Sequence, residues 1–235
     1  MKLVPSDQFS YVELAELFTR GYEGYFVPMH FDEPTLRYMV DAWDIDLSKS
    51  RVAPDAGLCN LAIRGDRGWI GGIAVVPEQR RHGVGRALME AVIELAPPTV
   101  LLEVIEANEP AIKLYESLGF EKTRVLEVWR VEAPLVAARN AEQSLLGQTG
   151  LPWQREDASL PPDYERLEVD GGAMLFRGGT VFQLEASDED AAVALLSRGT
   201  ALNYVNVPES DVASGALRKL GGELRLKQFE MVLRR

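Results

Sequence analysis

Residues 73–96 read IAVVPEQRRHGVGRALMEAVIELA, and this stretch decides the fold. Ile73, Ala74, Val75 and Val76 form an apolar strand end closed by Pro77. A basic loop follows with Arg80, Arg81, His82 and Gly83, and residues 84–95 then place Leu88, Val92 and Leu95 on one helical face. A strand, a glycine loop and a helix in that order leave backbone N–H groups unpaired at a helix start, where the helix dipole favours an anion. Gly83 and Gly85 keep a Cβ out of the path of a pyrophosphate. Arg80, Arg81 and Arg86 carry charge suited to phosphate. The bare pattern Arg-x-x-Gly-x-Gly equally describes a strand-to-helix turn with solvated arginines, so its surroundings decide.

Upstream, residues 58–64 and 69–76 are strand-like runs joined by Gly65-Asp66-Arg67-Gly68, which predicts an antiparallel hairpin. Before them, residues 9–25 place Leu14, Leu17 and Phe18 at helical spacing, with Gly21 and Gly24 weakening the end. Pro34 opens a second helix with Leu36, Met39, Val40 and Trp43 on one face. Downstream, Pro97-Pro98 stops the central helix, and residues 100–105 form an apolar strand interrupted only by Glu103. Pro110 starts a helix over 111–118 with Gly119 as its stop, and residues 125–131 close the domain as a strand. The order predicts a mixed α/β domain.

Residues 133–160 change character: 135–146 read as a helix and the later part as a linker rich in Gly and Pro. Beyond them the pattern returns in weaker form. Residues 167–176 and 180–186 read as a hairpin across Gly178-Gly179, and 188–196 as a helix capped by Ser187 or Asp188. Residues 201–207, 208–220 and 223–233 read as strand, helix and strand. ALRKLGGE near the end lines up with KLYESLGFE of the first half, which predicts an internal repeat of one fold.

The glycine loop resembles the acetyl-CoA-binding signature of the GNAT superfamily of N-acetyltransferases; Val75 or Val76, Pro77, Arg80, Gly83 and Gly85 fit it. A second motif of that superfamily is matched in NEPAIKLYESLGF, residues 108–120, by Asn108, Ala111, Tyr115, Gly119 and Phe120. The resemblance covers roughly residues 9–131 and implies a central mixed sheet flanked by helices. It further implies an acetyl-CoA-dependent acyltransferase acting by direct attack of an amine on the thioester. The N–H groups from Arg81 through His82, Gly83, Val84 and Gly85 to Arg86 would hold the pyrophosphate, with Ala87 on the helix behind. Residues 73–76 would pair with the pantetheine arm and polarise the thioester carbonyl. Asn108 would contact the cofactor or order a water, Ala111 would contact the cofactor, and Tyr115 would protonate the departing thiolate as general acid. Tyr22, Tyr25, Phe26 and Met29 fall where relatives shape the acceptor site, and Tyr25 and Phe26 are the candidates taken.

Each position has a plainer reading. Tyr115 shares a helix with the core-like Ile112 and Leu118, Asn108 could simply cap the helix at Pro110, and the aromatic group at 22–29 could be core. The general base is the weakest assignment: residues 73–76 carry no carboxylate, so Glu103 is the candidate and Glu106 the next, while Glu103 could instead be an ion-paired group. The alternative function is a non-catalytic acyl-CoA-binding or regulatory module. In the second half, EASDEDAAVALL stands where a glycine loop would be and Leu217 stands where Tyr115 does, so that half resembles a degenerate copy that binds no cofactor. The expected organisation is residues 1–134 as an acetyltransferase domain, 135–160 as a linker and 161–235 as the smaller degenerate repeat.

A net charge of −11 over 235 residues argues against nucleic acid as partner and favours a cationic acceptor, a small-molecule or peptide amine. Surface acid that simply keeps the protein soluble accounts for it equally. Cys59 is the only cysteine, which points to a reducing, cytoplasmic setting. No apolar run reaches spanning length, so no membrane is expected. His30 and His82 form no metal or catalytic pair, and no metal is expected. Monomer and homodimer both remain open.

Overall fold

In the computed structural model residues 1–132, 150–197 and 201–235 are described. The expected helix over 135–146, and the linker as far as residue 149, lie outside them. The chain divides into two compact units, residues 1–123 with 230–235, and residues 124–229.

The first unit runs β1 (Val4–Pro5), α1 (Tyr11–Gly21), α2 (Glu33–Ala42), β2 (Arg51–Ala53), β3 (Gly57–Arg64), β4 (Arg67–Val75), α3 (Val84–Leu95), β5 (Thr99–Ile105), α4 (Glu109–Ser117) and the start of β6 (Glu121–Glu132). Helix α1 starts with a capping box between Ser10 and Glu13 and buries Leu14, Ala15, Leu17 and Phe18. Its expected length shrinks from 9–25 to end at Gly21, where a Cβ would lie 2.5 Å from Cβ of Ala74. Gly21 therefore lets the helix end press on β4. Asp32 caps α2 through Thr35 N at 2.9 Å. Helix α3 buries Val84, Leu88, Met89 and Val92, while Leu95 in its last turn is exposed, contrary to the expected face.

The sheet order is β1-β2-β3-β4-β5. β2, β3 and β4 are antiparallel, as the hairpin at 65–68 predicts. Asn60 pairs with Gly72 but Leu61 with Ile70, so Gly71 is a bulge residue in β4. Gly72 has φ 146°, and a Cβ there would lie 2.6 Å from Cζ of Phe18. β4 and β5 are parallel and pair only from Arg67/Thr99 to Trp69/Leu101. Past the bulge the two strands part.

The second unit contains the rest of β6, two 3-10 turns (Trp153–Arg155 and Asp157–Ser159), β7 (Glu165–Val169), β8 (Gly172–Arg177), β9 (Thr180–Ala186), α5 (Glu189–Leu196), β10 (Ala201–Pro208), α6 (Val212–Lys219) and most of β11 (Glu223–Arg234). The run read as one strand over 167–176 is two, turning at Asp170-Gly171, where Gly171 has φ 80°. The order strand-strand-strand-helix-strand-helix-strand of β7 to β11 repeats that of β2 to β6. Asp188 caps α5 through Ala191 N at 2.9 Å. β9 and β10 are parallel and pair at Asn203/Thr180 and Tyr204/Val181. Just past these pairs the buried Arg155 donates from Nε to the Phe182 carbonyl at 3.0 Å and from Nη1 to the Asn206 carbonyl at 2.9 Å, and it bonds the Tyr204 hydroxyl. Its guanidinium thus bridges the two diverging strands. The core is built from Leu195, Leu196, Leu217, Met174 and Tyr204.

Candidate active site

Where β4 and β5 part, the first unit holds a cleft of about 480 Å³. Ile70, Gly72, Ile73 and Val75 line it from β4, and Leu102, Glu103 and Val104 from β5. The end of α1 and its loop contribute Gly21, Tyr22, Gly24, Tyr25 and Phe26, while Asn108, Ala111, Leu114 and Tyr115 come from the start and inner face of α4. Arg80, Arg81 and Gly85 close one end. Residues from five separated stretches of sequence thus converge. Of the expected set, Ala74, Val76 and Val84 are buried, and His82, Gly83, Arg86 and Ala87 stand outside the lining.

The glycine loop has the geometry of an anion site. Gly83 is the N-cap of α3 at φ 83°, where a Cβ would find no atom of the described residues within 4 Å. It brings no side chain to cap the helix, and the first turn, Val84-Gly85-Arg86, contains no acid. Its N–H groups and the dipole of a twelve-residue helix therefore face open space. Arg81 sits at φ 64°, exposed at the same end. The other two arginines are engaged by the protein. Arg80 donates to the carbonyls of Val75 at 3.0 Å, Gly21 at 3.2 Å and Glu23 at 2.6 Å. Arg86 donates to Ser117 Oγ at 2.5 Å and to Glu90 at 3.4 Å.

Tyr115 is buried and lines the cleft; burial first, then the neighbouring phenol of Tyr22 and the thiol of Cys59, hold its hydroxyl well above the usual phenol value. Its hydroxyl therefore stays protonated at neutral pH. Tyr25 is raised by burial and partly restored by a hydrogen bond from the Asn108 side chain. Asn108 also caps α4, accepting from Ala111 N at 3.3 Å, so the plain reading of Asn108 holds alongside its place in the cleft. Glu103 lines the cleft with Oε2 accepting from the Trp69 indole N–H at 2.7 Å. Glu106 is exposed and stands outside the lining. Sequence reasoning missed Trp69, whose signal is an indole two residues ahead of Gly71-Gly72 on a strand beside a carboxylate. No cluster of three or more His, Cys, Asp or Glu residues that could hold a metal ion occurs among the described residues. Nor does any helix among them have the length and apolarity to cross a membrane.

Residues 12–120 match the model of the acetyltransferase (GNAT) family. The chain is 42% identical over 64 residues to [ribosomal protein bS18]-alanine N-acetyltransferase of Escherichia coli, covering 26% of this chain and 43% of that protein. It is 40% identical over 65 residues to an N-alpha-acetyltransferase of Sulfurisphaera tokodaii, covering 26% and 39%. The chain thus spans about two fifths of the length of these relatives. Over its full length the fold is similar to a putative acetyltransferase from Pyrococcus horikoshii, with TM-score 0.67 at 13% identity, covering 100% of this chain and 89% of that one. A GCN5-related N-acetyltransferase from Sphaerobacter thermophilus gives 0.65 at 18% identity, covering 98% and 93%.

Proposed function

We propose that the chain, whose residues 12–120 match the acetyltransferase (GNAT) family, transfers an acetyl group from acetyl-CoA to a primary amine. The preferred acceptor is the α-amine of a peptide or protein, with a small amine as the alternative. The observation that carries this reading is the convergence of Tyr115 and Glu103 in one cleft that opens at the start of α3. Two of the relatives, named for acetylation of an α-amine and of a ribosomal protein's alanine, support the peptide acceptor.

The residues present suit the cofactor, because the space about Gly83 admits phosphate to the unpaired N–H groups of Val84, Gly85 and Arg86. Acetyl-CoA supplies, when bound, an acyl group activated as a thioester. Arg81 adds charge at the phosphate end. The β4 edge beyond Trp69, released from β5, offers backbone N–H groups to the pantetheine arm and the thioester carbonyl. Glu103 accepts a proton from the acceptor's ammonium group, leaving the neutral amine to attack. As the new C–N bond forms and the C–S bond breaks, Tyr115 gives its hydroxyl proton to the departing sulfur, and the second proton lost by the attacking nitrogen returns to the Tyr115 oxygen by way of solvent. Tyr25 and Phe26 flank the acceptor's approach. We place the protein in the cytoplasm, where a lone buried thiol such as Cys59 stays reduced.

We further read the second unit as a degenerate copy of the same fold that holds no cofactor. The repeated element order supports this, as do Asp188, Glu189 and Asp190 at the start of α5, which repel phosphate. The test is calorimetric titration with acetyl-CoA followed by a turnover screen of peptides and small amines. The reading expects one site per chain and turnover with a free N-terminal peptide. Absence of binding at millimolar acetyl-CoA removes it.

A further inference from the structure

Parallel pairing sets Trp69 opposite Leu101, so the Trp69 side chain shares a sheet face with Glu103, two residues further along β5. The indole Nε1–H donates to Glu103 Oε2 at 2.7 Å, a short hydrogen bond to a charged acceptor. Trp69 is 1% exposed, so the donor does not compete with bulk water. Two features lock its ring. The ring of Trp43 meets it edge-on, with centroids 5.7 Å apart and planes at 88°. A Cβ on Gly71 would stand 2.7 Å from Cζ3 of Trp69, so the bulge glycine is what lets the indole lie there. One device thus parts β4 from β5 and seats a donor beneath the carboxylate that lines the opening.

We propose that Trp69 is a positioning residue for Glu103, fixing one carboxylate oxygen so that the group stays directed into the cleft to receive the acceptor's proton. This rests on the reading of Glu103 as the base. A glutamate has three side-chain torsions, and one short bond to a rigid, buried donor removes most of that freedom before substrate arrives. In the step itself one proton leaves the ammonium nitrogen and joins the Glu103 carboxylate. Trp69 keeps its own N–H throughout.

The test uses Trp69→Phe in the full chain, which keeps an aromatic ring and removes the N–H. Two readouts are taken: the pH titration of the Glu103 carboxyl carbon by NMR, assigned with Glu103→Gln, and the pH profile of kcat/KM for the amine. The expectation is that the carboxyl midpoint and the acid limb both move to higher pH. In addition kcat/KM falls about tenfold, while acetyl-CoA affinity changes less than twofold. In the unaltered protein the Trp69 indole N–H resonance should titrate with the Glu103 midpoint and lose that response in Glu103→Gln, a measurement that needs no folded Trp69 variant. An unmoved carboxyl midpoint, or an indole that does not follow Glu103, overturns the positioning role while a Glu103-dependent acid limb leaves the base in place. A carboxyl midpoint that moves without the acid limb overturns Glu103 as base, and the positioning role with it.

Discussion

Arg80 grips Glu23 by its main chain: the guanidinium Nη2 donates to the Glu23 carbonyl at 2.6 Å, across 57 residues of sequence. The same side chain bonds the carbonyls of Gly21 and Val75, so the loop bearing Tyr22, Tyr25 and Phe26 is tied to the end of β4. A lysine retains the charge but not the fork that reaches three carbonyls. Arg80→Lys and Arg80→Ala should therefore cost similar stability, about 2 kcal/mol, in denaturant unfolding. Neither should flatten the salt dependence of acetyl-CoA binding, whereas Arg81→Ala should. A lysine variant as stable as the parent would count against the clasp.

Gly83 separates strain from binding. Its φ of 83° makes an alanine there cost about 1 kcal/mol, and the open space around it adds no clash. Gly83→Ala should lower the thermal midpoint only slightly yet weaken acetyl-CoA at least tenfold by calorimetry, because the added methyl stands where phosphate must approach. Unchanged affinity would move the phosphate site elsewhere.

Tyr115→Phe keeps the ring packed against Phe120 at 6.1 Å and removes only the hydroxyl. Turnover should fall about 100-fold with acetyl-CoA affinity intact. A rate within twofold of the parent would assign the leaving-group proton to another donor.

In the second unit, Glu127 is buried and accepts from Trp129 Nε1 at 2.9 Å, from the Ser214 hydroxyl and from Arg218 at 2.6 Å. Burial alone would raise its carboxyl, but the hydrogen bonds from Ser214 and Trp129 and the charges of Arg218 and Lys227 carry it below its ordinary value of 4.5. A carboxyl lowered on folding contributes stability that is complete above the unfolded value, and this is lost as pH falls through the folded one. Glu127→Gln should thus cost about 2 kcal/mol near pH 7, with the gap to the parent narrowing below pH 4.5. A gap constant with pH would deny the ionised form its role.

Tyr115, Asn108 and Glu103 were legible because their chemistry is carried by side chains, and the three line one cleft together with Arg80, Arg81 and Gly85 of the glycine loop. Much of what shapes that cleft is backbone. Nothing in the letters at 67–75 and 99–105 states that pairing stops at Trp69/Leu101. Arg80 reads as charge for a phosphate, and its three main-chain carbonyl acceptors have no sequence signature. The strand expected over 167–176 turns back at Asp170-Gly171, a turn of only two residues that hardly interrupts the strand-like pattern on either side. The partition into units is discontinuous, returning residues 230–235 to the first unit, and a reading that moves along the chain does not look for that.

The bridge made by Arg155 has an evolutionary consequence. Where β9 and β10 diverge, the two strand carbonyls of Phe182 and Asn206 are met by a guanidinium encoded in the polypeptide itself. An internal occupant arrives at unit stoichiometry with translation, has no dissociation constant and cannot be displaced by competitors in the cell. On the proposed function, mutation at Arg155 is judged by folding yield, whereas mutation around Gly83 and Tyr115 is judged by turnover. Two units divided in this way would answer to different selective pressures, and their sequences would drift apart at different speeds.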